Sequence, residues 1–265
     1  DGNAIGQNFQ IDHALDGLIT SPGQHHQNPI VTELPSGKFV VTWEGYPQTS
    51  NQAVLYARVL DASGVPVTDQ FAAYSNDYLQ GNAVLKDKNV YDAKVVGYKD
   101  GATDVFTIVA GSGESVDVYG NNDMLAPQDI VLRSYEIDGS NQVVSRDPSE
   151  AGSIAVACDL PTSSEHQIEV LSNGDLLMVW RDLGSVYSQR FKNQEVTPGS
   201  HSFHTVALES PVLVSESLGN WDSSQDPKVT ALSDGGYMVS WHKWNVDHSS
   251  SVYREFSEQE MQGRD

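Results

Sequence analysis

Apolar residues alternate with polar or small residues in several short stretches of the chain, which is the period-2 pattern of a strand with one buried face. Three stretches share one spacing: a leucine, a glycine turn, then alternating apolar residues that end in tryptophan. They are "ELPSGKFVVTWEGY" (33–46), "VLSNGDLLMVWRDL" (170–183) and "ALSDGGYMVSWHKW" (231–244). The pattern therefore predicts a repeated β-hairpin.

A fourth and weaker copy, "AKVVGYKDGATDVFTIVAG", stands at 93–111, where Val109 takes the place of the tryptophan. From Trp43 through Val109 and Trp180 to Trp241 the steps are 66, 71 and 61 residues. The remainder, counted from Trp241 through both termini back to Trp43, is 67 residues. The period therefore closes on itself.

The chain opens with "DGNAIGQNFQID", which has the spacing of "SGVPVTDQF", the end of the first full copy. The last copy, by contrast, stops without such a tail. Repeats of this length indicate a solenoid or a propeller, and pairing the N-terminal strand into the last repeat would remove the open sheet edges. We predict an all-β fold, a four-bladed β-propeller with about 66 residues per blade, closed by the N-terminal strand; a two-sheet sandwich is the alternative.

The prediction treats residues 1–265 as a single domain, and that length is ample for one compact β domain. The predicted repeats are 20–74, 75–155, 156–207 and 208–265 together with 1–12. No 18-residue apolar run exists, so we expect no membrane insertion. The single cysteine, Cys158, allows no internal disulfide and is expected to act as a small apolar residue.

The net charge of the chain argues against one class of binding partner. Fifteen Lys and Arg against 36 Asp and Glu give a formal net charge of −21, which repels phosphate backbones and argues against nucleic-acid binding. An acidic, lysine-poor composition rich in Asn, Ser, Asp and Gly is what we expect of an extracellular protein adapted to salt and divalent cations.

The first copy carries the pattern P-x-V-x-x-L-x-x-G-x-hydrophobic-V-V-x-W, followed by "YARVLDASGVPV" with an Asp-x-x-Gly turn. This combination resembles the repeats of very large secreted bacterial surface proteins of the calcium-rich, adhesin-like, type I secreted kind. The resemblance implies an extracellular or cell-surface module, monomeric within a longer chain and often associated with adhesion. It brings no known catalytic residues with it.

In a propeller, the loop that enters the innermost strand of a blade and the loop between its second and third strands lie on the same face. Aromatic side chains beside charged and amide groups suit sugar rings, which offer apolar C–H faces and peripheral hydroxyls. We therefore predict a rim that binds a glycan or another cell-surface ligand. Its predicted residues are His25, Tyr46, His166, Arg181, Asp182, Trp221, Asp222, His242 and Trp244.

Calcium is the predicted cofactor. The insertion "DVYGNNDMLAPQD" (117–129) gathers the oxygen ligands that a hard cation prefers, although its spacing differs from that of an EF-hand. The predicted ligands are Asp117, Asn121, Asp123 and Asp129.

Three functions stay open at this point. The first is a non-catalytic adhesion module that binds glycan. The second is a carbohydrate-active enzyme, either a glycoside hydrolase using two of the rim carboxylates Glu44, Asp182, Asp222 and Asp247 or a polysaccharide lyase using His242 with Arg181 or Lys243. The third is a structural spacer. No G-x-S-x-G, P-loop or G-x-G-x-x-G motif is present in the sequence. The usual sequence signatures of serine hydrolases with a nucleophile elbow and of nucleotide-binding enzymes are therefore absent. The sequence favours the adhesion module.

Overall fold

The structure is a computed structural model, and it describes Ile11 and the ranges 26–45, 54–74, 89–113, 129–146, 154–155, 165–196, 203–215, 223–244 and 249–257. Within these ranges all regular structure is β-strand, and there is no helix. The all-β prediction is confirmed.

Four antiparallel sheets follow one another along the chain, and their strands are hydrogen-bonded largely in chain order. The first sheet contains β1 (His26–Glu33), β2 (Phe39–Gly45), β3 (Val54–Leu60) and β4 (Phe71–Tyr74). The second contains β5 (Asn89–Asp100), β6 (Thr103–Gly113), β7 (Asp129–Ile137), β8 (Val143–Ser145) and β9 (Ile154–Ala155). The third contains β10 (His166–Val170), β11 (Leu176–Asp182), β12 (Ser185–Glu195), β13 (Phe203–Ala207) and β14 (Val212–Leu213), and the fourth contains β15 (Ser223–Ala231), β16 (Tyr237–Trp244) and β17 (Ser249–Phe256). Because β14 pairs with β12, the third sheet runs past the predicted boundary at residue 207.

The first strands of the sheets, β1, β5, β10 and β15, contact one another in succession. Apolar side chains fill the space between neighbouring sheets, so that each sheet packs face to face on the next. Trp180 packs against the second sheet and Trp241 against the third. This is the radial arrangement of a β-propeller, and the repeated tryptophan is a residue of the contacts between blades.

The leucine and glycine of the repeat form the hairpin turn. In the first sheet the Gly37 N–H donates to the Leu34 carbonyl at 2.8 Å, and Leu34 N–H donates to the Lys38 carbonyl at 2.7 Å. Gly37 has φ +81°, in the left-handed region that side-chain-bearing residues rarely adopt. The glycine in the pattern is therefore required by the backbone of the turn.

The Asp-x-x-Gly turn also has a structural role. The Asp61 carboxylate accepts the N–H groups of Ser63 and Val65 at 2.8 and 2.9 Å. Asp138 makes the same two bonds in the second sheet, where Asn141 takes the glycine position with φ +59°. The second repeat thus contains the turn in a form that the sequence pattern did not identify.

The predicted assignment of Val109 to the tryptophan position is wrong. The Val109 side chain faces the third sheet, whereas Ala110 packs against the first. Ala110 therefore occupies the place that Trp180 and Trp241 take in their own sheets. The physical reason is the β5–β6 hairpin, which is longer than its counterparts and shifts the strand alternation by one residue.

In three sheets an arginine of the third strand bonds a main-chain carbonyl outside its own sheet. The three bonds are Arg133 Nη1 to the Ala73 carbonyl (3.5 Å), Arg254 Nη1 to the Val214 carbonyl (3.4 Å) and Arg58 Nη1 to the Ile11 carbonyl (2.7 Å). The arginines are equivalent in register, since each lies opposite an apolar residue of the second strand. Ile11 also packs against Val41, Trp43 and Leu60. It therefore lies against the first sheet where the outer strand of a preceding sheet would lie.

Candidate active site

A β-bulge recurs at the same place in three of the four innermost strands. The pairing register shifts between Gln27 and Ile30 in β1, between Tyr91 and Lys94 in β5 and between Gln225 and Lys228 in β15. Each bulge contains an Asn or Asp with positive φ: Asn28 (+53°), Asp92 (+51°) and Asp226 (+50°). Bulges and left-handed non-glycine residues concentrate at functional sites, where they re-aim side chains. In the third sheet, Glu165 stands at the matching place, just before β10, and its carbonyl accepts the Arg181 N–H at 2.9 Å.

Glu44, at the end of β2, connects the first bulge to the second. Its buried carboxylate accepts Gln27 Nε2 at 3.1 Å, Asn28 Nδ2 at 3.1 Å and the backbone N–H of Asp92 at 2.9 Å. These three donors, which come from two sheets, hold the Glu44 carboxylate in one orientation. Glu44 therefore positions its neighbours and is poorly placed to exchange a proton.

Asp92 connects the second sheet to the third. Lys94 Nζ forms a salt bridge with Asp92 Oδ1, and His166 Nδ1 lies 4.0 Å from Asp92 Oδ2. The Asp92 side chain is 46% exposed, so its carboxylate is open to a ligand. Burial lowers the pKa of His166 from 6.5 to about 4, against the opposing effect of the Asp92 charge. The imidazole is therefore neutral at pH 7.

Glu165 connects the third sheet to the fourth. Its Oε2 accepts the Asp226 N–H at 2.6 Å, and its Oε1 lies 3.7 Å from Arg181 Nη1. The Asp226 residue is exposed. Contacts thus link the innermost strands of the four sheets, the fourth of them through the Asp226 backbone N–H. We call Asn28, Glu44, Asp92, Lys94, Glu165, His166 and Asp226 the axial cluster.

Two further predicted rim residues lie at the end of β11. Arg181 is half-buried and contacts Glu165, as described above. Asp182 follows it at the end of β11 and is buried, with no hydrogen-bond partner for Oδ1 among the described residues. Burial raises the pKa of Asp182, and a backbone hydrogen bond from Leu183 opposes the shift.

His242 and Trp244 lie in the last part of β16. In β16 they alternate with Trp241, which faces the third sheet, so both point to the opposite side of the fourth sheet. Trp244 is 56% exposed, and His242 Nδ1 lies 3.4 Å from Ser251 Oγ. His242 pairs with Gln225 at the bulge of β15, as Glu44 pairs with Gln27 at the bulge of β1. It follows Trp241 as Arg181 follows Trp180, and the lyase prediction stays a prediction.

The other predicted site residues lie outside the part of the chain that the structure describes. They are His25, Tyr46, Trp221 and Asp222 of the rim and Asp117, Asn121 and Asp123 of the calcium loop. Asp129 begins β7, but its side chain is likewise outside the description. Both the aromatic rim and the calcium site stay predictions.

Sequence reasoning missed Asp92, Lys94, Glu165 and Asp226 as site residues. A signal was present, because "QNPIV" (27–31) and "QDPKV" (225–229) both place Asn or Asp before proline at the bulge, and "YDAKV" (91–95) is the same phrase without the proline. Proline lacks the N–H that a regular ladder requires, so Asn-Pro or Asp-Pro inside a strand indicates a bulge.

Several solved structures are similar to this chain in their overall fold. The chain is similar to an α-L-arabinanase from Penicillium chrysogenum complexed with arabinobiose, with a TM-score of 0.51 and 17% identity over 89% of this chain and 64% of that one. It is also similar to a protein of unknown function from Dyadobacter fermentans (TM-score 0.48, 13% identity, 89% and 66% covered). A third similar structure is an exo-β-1,3-galactanase from Clostridium thermocellum (TM-score 0.44, 12% identity, 87% and 46% covered). The chain spans less than two thirds of the length of each. No known protein family matches the sequence, and no curated protein is significantly similar to it.

The likeness to the arabinanase is one of fold, and it confirms the propeller-type architecture. The main functional prediction, a non-catalytic adhesion module, is wrong, because the likeness to the arabinanase favours the alternative of a carbohydrate-active enzyme. The prediction relied on repeat motifs, and in the described blades those motifs form turns and contacts between sheets. No helix in the described residues is long and apolar enough to cross a membrane.

Proposed function

We propose that this chain is a carbohydrate-active enzyme, a glycoside hydrolase whose active centre is the axial cluster. The observation that carries the proposal is the position of Asp92, Glu165 and Asp226 at equivalent places of three successive sheets. Glu165 bonds the Asp226 backbone N–H, and the Asp92 side chain is half-exposed beside His166. Glycoside hydrolysis needs two carboxylic groups on opposite sides of one glycosidic bond. A propeller axis lined by carboxylates from successive blades can supply such a pair.

The surroundings of these carboxylates separate their roles. Asp92 has Lys94 against one oxygen, and Glu165 has Arg181 nearby, so both are held beside positive charge and suit a base or a nucleophile. Burial raises the pKa of Asp182 at the end of β11, which suits a group that donates a proton. We assign the acid to Asp182 or Asp226, and the base or nucleophile to Asp92 or Glu165.

A neutral polysaccharide is the proposed substrate class. A chain with net charge −21 repels a polyanionic uronate, and the carboxylates of the axial cluster add to that repulsion at the site. The fold is shared with a protein that acts on arabinan, so arabinan is the first substrate to test.

The test is a reducing-end assay on arabinan, galactan, xylan and mannan with the whole chain and the variants D92N, E165Q, D226N and D182N. Loss of a catalytic carboxylate lowers kcat by about 10²- to 10⁴-fold, so we expect this loss in two of the four variants. E255Q, at an exposed position of the fourth sheet, is the matched control and should keep full activity. No turnover on any polysaccharide, or full activity in all four variants, would refute the proposal.

We also propose that the ring has four blades and that the N-terminal segment closes it as the outer strand beside β17. Residues 1–10 lie outside the described part of the chain, and the support comes from Ile11, which bonds Arg58 as Ala73 bonds Arg133. Deleting residues 1–12 should lower Tm by several degrees, because it removes the partner of Arg58 and exposes the Trp43 face. Deletion of 258–265 is the control. Equal Tm values for the two truncated proteins would contradict closure.

The extracellular location and the use of calcium stay proposals as well. The acidic composition and the resemblance to secreted surface repeats support them. Activity that survives an excess of chelator without change in Tm would remove calcium from the proposal.

A further inference from the structure

His166 is a buried member of the axial cluster whose side-chain polar atoms have no hydrogen-bond partner among the described residues. It begins β10, its side chain is 1% exposed, and neither Nδ1 nor Nε2 has a hydrogen-bond partner there. The backbone groups of Asp92 and Val109 lie near the ring without meeting hydrogen-bond geometry. A buried, unpartnered imidazole costs free energy, so its presence at this place requires an explanation.

The Asp92 residue has a charged or polar neighbour on three sides. Lys94 Nζ lies against Oδ1, Glu44 holds the Asp92 backbone N–H at 2.9 Å, and His166 Nδ1 lies 4.0 Å from Oδ2. The Asp92 oxygen that has no close partner therefore faces the His166 imidazole, which has no hydrogen-bond partner among the described residues. The gap exceeds a normal N–H···O distance by about 1 Å.

Given the proposed function, we propose that His166 is a positioning residue that donates its Nδ1–H to Asp92 Oδ2 and fixes that carboxylate for the reaction. Catalytic hydrogen bonds are often long in the ligand-free enzyme and tighten when substrate binds. A side-chain adjustment of Asp92, which is half-exposed, closes the distance without moving β10. Burial keeps the imidazole neutral, so it supplies a donor and adds no second cation beside Lys94.

Two readouts test the inference, and the first needs no substrate. The ¹⁵N NMR spectrum of the imidazoles at pH 7, with the His166 signals identified by their loss in H166L, should show the proton on Nδ1. D92N should shift that Nδ1 signal, whereas E255Q should leave it in place. A proton on Nε2, or an Nδ1 signal that D92N leaves unchanged, would overturn the inference whatever the protein's activity.

The second readout uses the polysaccharide that the reducing-end assay identifies. H166L removes the donor, so kcat should fall on the order of ten- to hundredfold with little change in KM. H166N can still donate from the position of Nδ1 and should recover most of this loss. The acidic limb of the pH profile should move to higher pH in H166L, because a donor to the charged carboxylate favours that form.

A purely packing role gives a different result. H166N leaves more empty space than H166L, so packing alone would make H166N the worse variant and would leave the pH profile in place. That pattern would overturn the inference while leaving the proposed hydrolase intact. Full activity in D92N, by contrast, would remove Asp92 from the active centre and count against the proposed function itself.

Discussion

The stability of this protein should depend on pH through His166. Its folded-state pKa is lowered from 6.5 to about 4, chiefly because the ring is buried. Between these two values the unfolded chain binds a proton on the imidazole that the folded chain does not. The contribution of this group is therefore fully present above pH 6.5 and is lost progressively as pH falls to about 4.

The magnitude follows from the size of the shift. Each unit of pKa difference corresponds to about 1.4 kcal/mol, so the loss between pH 7 and pH 4 is about 3 kcal/mol. H166N lacks this titration. The free energy of unfolding of the wild type should therefore fall by about 3 kcal/mol more than that of H166N over the same interval.

Urea unfolding at pH 7, 6, 5 and 4, followed by tryptophan fluorescence, measures the difference directly. Carboxylates titrate in the same range, but they do so in both proteins and cancel in the comparison. H242N, at an exposed position, controls for the exchange of a histidine as such. If the curves of wild type and H166N run parallel from pH 7 to pH 4, the argument from burial is refuted.

Three further predictions concern the framework. Y135F removes the hydroxyl that donates to the Ala73 carbonyl at 2.6 Å between the first two sheets, and urea unfolding should show a loss of about 1 kcal/mol. D61A should cost about 1 kcal/mol by the same measurement, because two backbone N–H groups lose their acceptor, whereas D61N keeps an acceptor and should cost less. G97A places a Cβ 2.6 Å from Leu34 Cδ2 in the contact between the first two sheets. The Tm should therefore fall by an amount equivalent to about 1–3 kcal/mol. An unchanged Tm would show that the Leu34 side chain moves aside without cost.

The strand pattern could be predicted because burial imposes it on the sequence. Trp180 and Trp241 fill equivalent places between sheets, and a positive φ fixes a glycine at each short hairpin such as Gly37. These constraints act on single positions at fixed spacing. The second repeat was aligned wrongly because its longer hairpin moves the alternation of buried positions by one residue. Ala110 is too small to be recognised from the sequence as the residue at the tryptophan position.

The axial cluster could not be predicted in the same way. Each of its bulges inserts one residue, so the alternation of buried and exposed positions no longer shows where Asp92 or Asp226 points. The rim was predicted from loops, whereas the contacts that join the sheets come from the first residues of the innermost strands. Glu44 and His166 were on the list of candidates, but nothing in their spacing indicated that both face Asp92.

The repetition of the bulge and the variation of its side chain have one physical consequence. The bulge recurs with nearly the same φ at Asn28, Asp92 and Asp226, so three of the four sheets present a side chain from the same backbone geometry. If those side chains were identical, the axis would offer the same charge from every sheet. Instead an amide, a carboxylate with a lysine beside it and an exposed carboxylate follow one another, with Glu165 between the last two. A glycosidic bond is polar and directional, and its cleavage needs unlike groups on its two sides. A repeated scaffold with divergent axial residues provides this asymmetry without distorting the fold.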